Sequence, residues 1–203
     1  MHKLYLIRHG ETQSNSNGIF QGQTNSPLSD LGKTQAQLLA QRLKKDHINV
    51  DRLIASTLGR AIETAEYIGK ALDCKVETDK GLQEINLGNW EGMNWEKIRD
   101  NFPIDSQDYH QQWWRFKEHG GESWSEALKR FDNAVKKLID NSPKKNLMVV
   151  AHAGVIRLFV TKLLGSDSPK PPLEISNTGI TEIQILENQL RILRINDYYH
   201  LKS

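Results

Sequence analysis

The chain has 203 residues, with 27 Lys and Arg against 25 Asp and Glu, a formal net charge of +2. A balance this close to neutral creates no field that would draw the protein onto nucleic acid or an anionic membrane, so any anion site has to be a local cluster. No apolar run approaches the roughly 20 residues of a bilayer-spanning helix, the start Met1-His2-Lys3 has no signal-like apolar stretch, and the sole cysteine, Cys74, has no internal partner.

A cytoplasmic protein is therefore expected. One domain over residues 1–203 is expected too, because a single core serves chains up to roughly 250 residues. Nothing in the sequence specifies an oligomeric state.

In chain order, residues 3–8 read as a short apolar strand, and 11–27, rich in Asn, Gly and Ser, read as a loop. Ser29 is a natural N-cap for a helix whose apolar positions Ala36, Leu39, Ala40 and Leu43 keep helical spacing. A strand over 52–55, a helix over 58–72 and a brief strand over 75–78 follow. Residues 86–119 are irregular and aromatic, carrying Trp90, Trp95, Phe102, Tyr109, Trp113, Trp114 and Phe116, and read as an inserted helical lid.

Beyond the lid, Ser123-Trp124-Ser125-Glu126 matches a capping box before a long helix with Leu128, Phe131, Val135 and Leu138 on one face. Residues 147–151 are the most strand-like segment of the chain. A helix over 155–164, a break at 169–172 and two strands, 181–187 and 190–196, around a turn at Asn188 complete it. This alternation predicts a three-layer α/β fold with a mostly parallel central sheet and helices on both faces. In such sheets ligands bind beyond the carboxyl ends of the strands.

Two strands deliver a histidine to that edge in the same way: Leu6-Ile7-Arg8-His9-Gly10 and Val150-Ala151-His152-Ala153-Gly154. One histidine at a strand end is ordinarily structural, but two in matching context point to a site. The glycine after each allows a sharp turn and a close ligand approach. Arg60 lies in the first turn of a helix, where a cation opposes the helix dipole unless an anion sits between them. The alternative is a solvated Arg60 paired with Glu63 or Glu66. Arg8 offers a second planar fork for phosphate oxygens, and Arg157, similarly early in its helix, is a weaker third candidate for which surface placement is favoured.

These residues carry a resemblance. Leu6-Ile7-Arg8-His9-Gly10-Glu11-Thr12 is similar to the signature of the histidine phosphatase, or phosphoglycerate mutase-like, superfamily. Asn15, Gln21-Gly22, Ser26-Pro27-Leu28-Ser29, Gly32 and Gln35-Ala36 follow in family order. Ala55-Ser56-Thr57-Leu58-Gly59-Arg60-Ala61 with Thr64-Ala65 resembles the second arginine motif, and Glu84 to Gly88 with Trp90-Glu91-Gly92 resembles the acid-bearing loop. Gly120-Gly121-Glu122-Ser123 and Ala151-His152-Ala153-Gly154 complete the set.

The resemblance implies a phosphatase working through a phosphohistidine. His9 would be the nucleophile, its other ring nitrogen held by a backbone carbonyl. Arg8, Arg60, Asn15 and His152 would surround the phosphoryl oxygens, with Gln21, Gly22 and Ala153 in the same phosphate site. Glu84 would protonate the leaving oxygen and then activate water.

No metal and no cofactor are expected. The chain has no His-Glu-x-x-His and no cysteine cluster, and Asp46, His47, His110 and His119 read as solvated. The implied substrate is a small phosphorylated metabolite, with no nucleic-acid or membrane partner.

Phosphoglycerate mutases resemble Glu-Arg-His-Tyr-Gly in the acid-bearing loop, whereas Glu84-Ile85-Asn86-Leu87-Gly88 lacks the added basic residue for a second acidic group. The chain therefore looks more like the small broad-specificity phosphatases than like a mutase. A binding module that has lost catalysis is the reading from another class, and every matched position here is occupied. The lid aromatics either cover an organic group or form the lid's own core, and Lys97, Arg99, Arg115 and Lys117 are candidates for holding a second anionic group.

Overall fold

The computed structural model describes residues 2–102, 116–166, 173–187 and 189–202. Of the features expected above, Tyr109, His110, Trp113, Trp114, Arg115, the break at 169–172 and the turn at Asn188 lie outside the described residues.

The elements run β1 (His2–Arg8), α1 (Gln13–Ser16), α2 (Asp30–Lys45), β2 (Arg52–Ser56), α3 (Gly59–Leu72), β3 (Val76–Asp79), α4 (Trp95–Asn101), α5 (Trp124–Asp140), β4 (Leu147–Ala151), α6 (Ala153–Leu163), β5 (Ile180–Ile185) and β6 (Leu190–Asp197). Short 3-10 turns occupy Lys80–Leu82, Gly88–Trp90, Phe116–His119 and Tyr199–Leu201. Both expected caps form: the Ser29 side chain accepts from Gly32 N–H, and Ser123 and Glu126 make a reciprocal capping box.

The stretch read as a plain loop, 11–27, contains α1. Thr12 and Asn15 cap it reciprocally, so an asparagine performs the part usually given to Glu or Gln.

The sheet order is β3-β2-β4-β1-β5-β6. The β3–β2, β2–β4 and β4–β1 pairings are parallel, while β1–β5 and β5–β6 are antiparallel. The sheet is thus mixed, its antiparallel edge made by a hairpin at the chain's end. Strand β4 lies between β2 and β1 and is buried at all five positions, which explains its unbroken Leu-Met-Val-Val-Ala run.

Alternation along β1 divides the core in two. Leu4 and Leu6 pack with Phe131, Val135 and Phe159 on one face, whereas Tyr5 and Ile7 pack with Leu39, Leu43, Ala61 and Ile68 on the other. Because β1, β2 and β4 are parallel, their carboxyl ends share one edge. The segments leaving that edge carry His9, Arg60 and His152.

Candidate active site

His9 follows β1 and is 4% exposed. Its Nδ1 lies 2.7 Å from the Gly10 carbonyl oxygen. A carbonyl only accepts, so Nδ1 carries the proton and Nε2 keeps its lone pair. Arg60 Nε–H stands 3.2 Å from that Nε2 and 3.2 Å from His152 Nδ1. With Nδ1 accepting, His152 donates from Nε2 to Ser56 Oγ at 2.8 Å. The expectation that a backbone carbonyl would hold the second nitrogen of His9 is met by its own neighbour.

Burial, followed by the charges of Arg60 and Arg8, pushes the His9 imidazole well below its ordinary 6.5. Burial and Arg60 do the same to His152. Both rings are therefore neutral at cellular pH.

Arg60 is 1% exposed, which removes the solvated alternative. Its Nη1 donates to Thr24 O at 2.8 Å and its Nη2 to Gly22 O at 2.7 Å. Burial lowers its pKa to about 10, opposed by Glu84 and Glu91, so it remains a cation. Arg8 donates from Nη1 to Ile175 O at 2.7 Å, while its Nε is buried without a partner.

Glu84 leaves the Lys80–Leu82 turn and reaches the start of α6. Its carboxylate accepts from Gly154 N–H at 3.0 Å, Val155 N–H at 3.1 Å and Ile85 N–H at 2.9 Å. A helix N-terminus with free N–H groups is a ready anion site, and here the protein's own carboxylate occupies it. A Cβ on Gly154 would stand 2.6 Å from Glu84 Oε1, so this glycine admits a side chain of the protein. Gly10 likewise admits the Gly32 carbonyl, 2.5 Å from where its Cβ would be. The close approaches expected from a ligand at these two glycines are made by protein atoms.

A cavity of about 270 Å³ opens at this edge, lined by Arg8, His9, Asn15, Gln21, Gly22, Arg60, Glu84, Ala153, Gly154 and Arg157, with an apolar wall of Ile19, Phe20, Ile85, Leu87 and Phe116. Asn15 uses its Oδ1 to accept from Thr12 N–H at 3.2 Å, leaving Nδ2 outside the cap. The buried Gln21 Oε1 has no partner.

The match to known proteins is as extensive as the motifs suggest. The model of the histidine phosphatase superfamily (branch 1) covers residues 4–198. The chain belongs to that superfamily. Phosphoserine phosphatase 1 of Hydrogenobacter thermophilus is 31% identical over 202 residues, covering 99% of this chain and 95% of the relative. The probable phosphoglycerate mutase GpmB of Cronobacter sakazakii is 32% identical over 193 residues, covering 90% and 85%. The solved structure of YhfR from Bacillus stearothermophilus superimposes with a TM-score of 0.90 at 29% identity, covering 99% of this chain and all of that one.

Within this histidine phosphatase framework the site departs from sequence expectation at several points. His152 is fully buried and lies beneath His9 and Arg60 without lining the cavity. Arg157, read as a surface residue, lines the cavity instead. The available signal was its spacing of four from Ala153, which puts both on one face of α6. Of the basic residues offered for a second anion, the three that are described do not line the cavity: Lys97 and Arg99 are exposed, Arg99 pairs with Asp100, and Lys117 pairs with Glu126.

His119 is not solvated, since its ring stacks on Trp90 at 5.6 Å and meets Phe102 at 4.8 Å. Trp90 also makes edge contacts with Phe20 and Phe116, so the described aromatic rings pack on one another while Phe20 and Phe116 face the cavity too.

Sequence reasoning missed Arg130 of α5. Its Nη1 donates to Gly81 O and Gln83 O, both at 2.9 Å, and its Nη2 donates to Glu84 O at 3.1 Å. Nothing local marks a lone arginine on an amphipathic helix as the clamp of a loop some 46 residues away.

Proposed function

We propose that this enzyme, a phosphoric monoester hydrolase, removes phosphate from small metabolites with His9 Nε2 as nucleophile and Glu84 as acid and then base. The observation that carries the assignment is the 2.7 Å contact of His9 Nδ1 with Gly10 O: a carbonyl there requires the proton on Nδ1 and leaves a neutral Nε2 in the cavity with the guanidinium groups of Arg8 and Arg60.

In the first half-reaction the Nε2 lone pair forms a bond to phosphorus while the ester P–O bond breaks. Glu84 gives its proton to the departing oxygen. In the second, Glu84 takes a proton from water, the water oxygen bonds to phosphorus, and the N–P bond breaks to release phosphate.

Arg8 and Arg60 would stabilise charge spreading over the phosphoryl oxygens, with donors from Asn15 and Gln21, Gly22 and Ala153 shaping the same pocket. His152, held by Ser56, would fix the Arg60 guanidinium from below and act through it. This charge supply requires no metal ion, and among the described residues no three His, Cys, Asp or Glu side chains form a metal-binding group. The setting we propose is the cytoplasm. Among the described residues no helix is long and apolar enough to cross a membrane.

Rapid quench with phosphate-labelled substrate in the presence of a chelator tests the scheme. Label on His9, in amounts matching the burst, is expected. Full turnover by His9→Ala, label on another residue, or loss of activity to the chelator would overturn it. Conversion of 3-phosphoglycerate to 2-phosphoglycerate in place of free phosphate would instead establish transfer between substrate positions.

A further inference from the structure

The cavity holds one more cation than a phosphoryl group needs. Arg8, Arg60 and Arg157 line it, and Glu84 is the carboxylate among them. A phosphomonoester dianion brings two negative charges, and Glu84 must carry a proton if it is to donate one to the leaving oxygen. Among the lining residues three guanidinium charges then face two negative ones, with Glu91 acting on Arg60 from outside the lining. The two histidines add nothing to the sum, since burial and Arg60 keep both neutral.

The three arginines are not equivalent. Arg60 is committed to Gly22 O, Thr24 O and the two histidines, and Arg8 is tied to Ile175 O. Among the described residues Arg157 has neither a hydrogen-bond nor an ion-pair partner, and its Nε is buried without one. The terminal Nη fork of the guanidinium, which makes no hydrogen bond either, matches a carboxylate in geometry. Arg157 lies one turn into α6, and helix side chains lean toward the N-terminus, so it reaches back past Ala153 to the cavity wall. In the same lining Ile85 and Leu87 are apolar and supply no competing acceptor side chain.

Resting on the phosphatase reading above, we propose that Arg157 is a specificity-determining contact that selects phosphomonoesters carrying a carboxylate on the organic group, with the phosphoryl at Arg8 and Arg60 and the carboxylate at Arg157.

The matched pair 3-phosphoglycerate and glycerol 3-phosphate tests this, because the two differ by a carboxylate against a neutral hydroxymethyl group. The wild-type enzyme should favour 3-phosphoglycerate in kcat/KM. In Arg157→Met that preference should shrink by roughly ten- to hundredfold, the scale of a charge-assisted hydrogen bond, and Arg157→Lys should recover part of it. The loss should fall mainly on KM for the acidic substrate.

No preference in the wild type, or an unchanged ratio in Arg157→Met, would overturn the proposal. Equal losses on both substrates would place Arg157 on the phosphoryl group and overturn it as well. Failure of the phosphatase reading is separate: the wild-type enzyme would then release no phosphate from either substrate or from p-nitrophenyl phosphate.

Discussion

The Nε–H of Arg60 points at the very nitrogen of His9 that must attack phosphorus, at 3.2 Å. While unprotonated, Nε2 accepts this hydrogen bond. Protonation of Nε2 would turn it into a clash of two donors with two positive charges, so the same contact aligns the ring and opposes its protonation. Replacing Arg60 with Met should lower kcat/KM by about two to three orders of magnitude, the usual scale for losing one transition-state donor. Competitive inhibition by vanadate should weaken in parallel. An inhibition constant equal to that of the wild type would separate Arg60 from the phosphoryl site.

The buried histidines also set an acid limit on stability. His9 and His152 are held well below their unfolded value of 6.5, and burial lowers His200 to about 4. Below pH 6.5 the unfolded chain therefore binds protons that the folded chain refuses, and stability falls as pH falls. Each histidine should contribute a slope approaching 1.4 kcal/mol per pH unit, roughly 3 kcal/mol per unit for the His9–His152 pair below about pH 6. Urea unfolding between pH 7.5 and 5 measures it. His9→Asn should flatten the slope by one proton, and an unchanged slope would show that His9 is charged in the folded protein.

Glu84 is held by three backbone N–H groups, two of them at the start of α6. Glu84→Gln keeps one accepting oxygen for the Ile85 and Val155 N–H groups, sets an NH2 against the Gly154 N–H, and removes the charge together with the exchangeable proton. It should lose roughly two to four orders of magnitude on an alkyl phosphate, whose leaving group needs that proton. Single-turnover phosphorylation by p-nitrophenyl phosphate should fall far less, and phosphoenzyme should then accumulate because water has also lost its base. Equal losses of the phosphorylation rate on the two substrates would remove Glu84 as the acid and turn attention to Glu91 and Glu11.

Arg130 should act on the same step from a distance. Its hydrogen bonds to Gly81 O, Gln83 O and Glu84 O, with a 2.7 Å pair to Glu122, hold the acid-bearing loop against α5. Arg130→Met should cost about 2 kcal/mol of stability, since it leaves several acceptors without their charged donor. It should also reduce kcat on alkyl phosphates by about tenfold while moving p-nitrophenyl phosphate less, because general-acid catalysis contributes to the first far more than to the second. Arg130→Lys should rescue only part of either effect. Equal kcat losses on both substrates would reduce Arg130 to a stabilising residue.

Sequence alone determined what depends on neighbours along the chain. The apolar runs of β1 and β4, the Ser29 and Ser123 caps and the placement of His9 and His152 just after strand ends were all legible, because local periodicity and side-chain chemistry dictate them. The ordered motifs around Arg8, Arg60 and Glu84 were legible in the same way. Tertiary structure decided what depends on contacts across the chain: it put His152 under Arg60 instead of in the cavity wall, tied Glu84 to the N-terminus of α6 and brought Arg130 onto the acid-bearing loop. It also turned Arg157 from solvent into the cavity and left Lys97, Arg99 and Lys117 outside it. A side chain's local sequence gives its charge and reach, but its electrostatic role depends on which buried acceptors the fold places within hydrogen-bond distance.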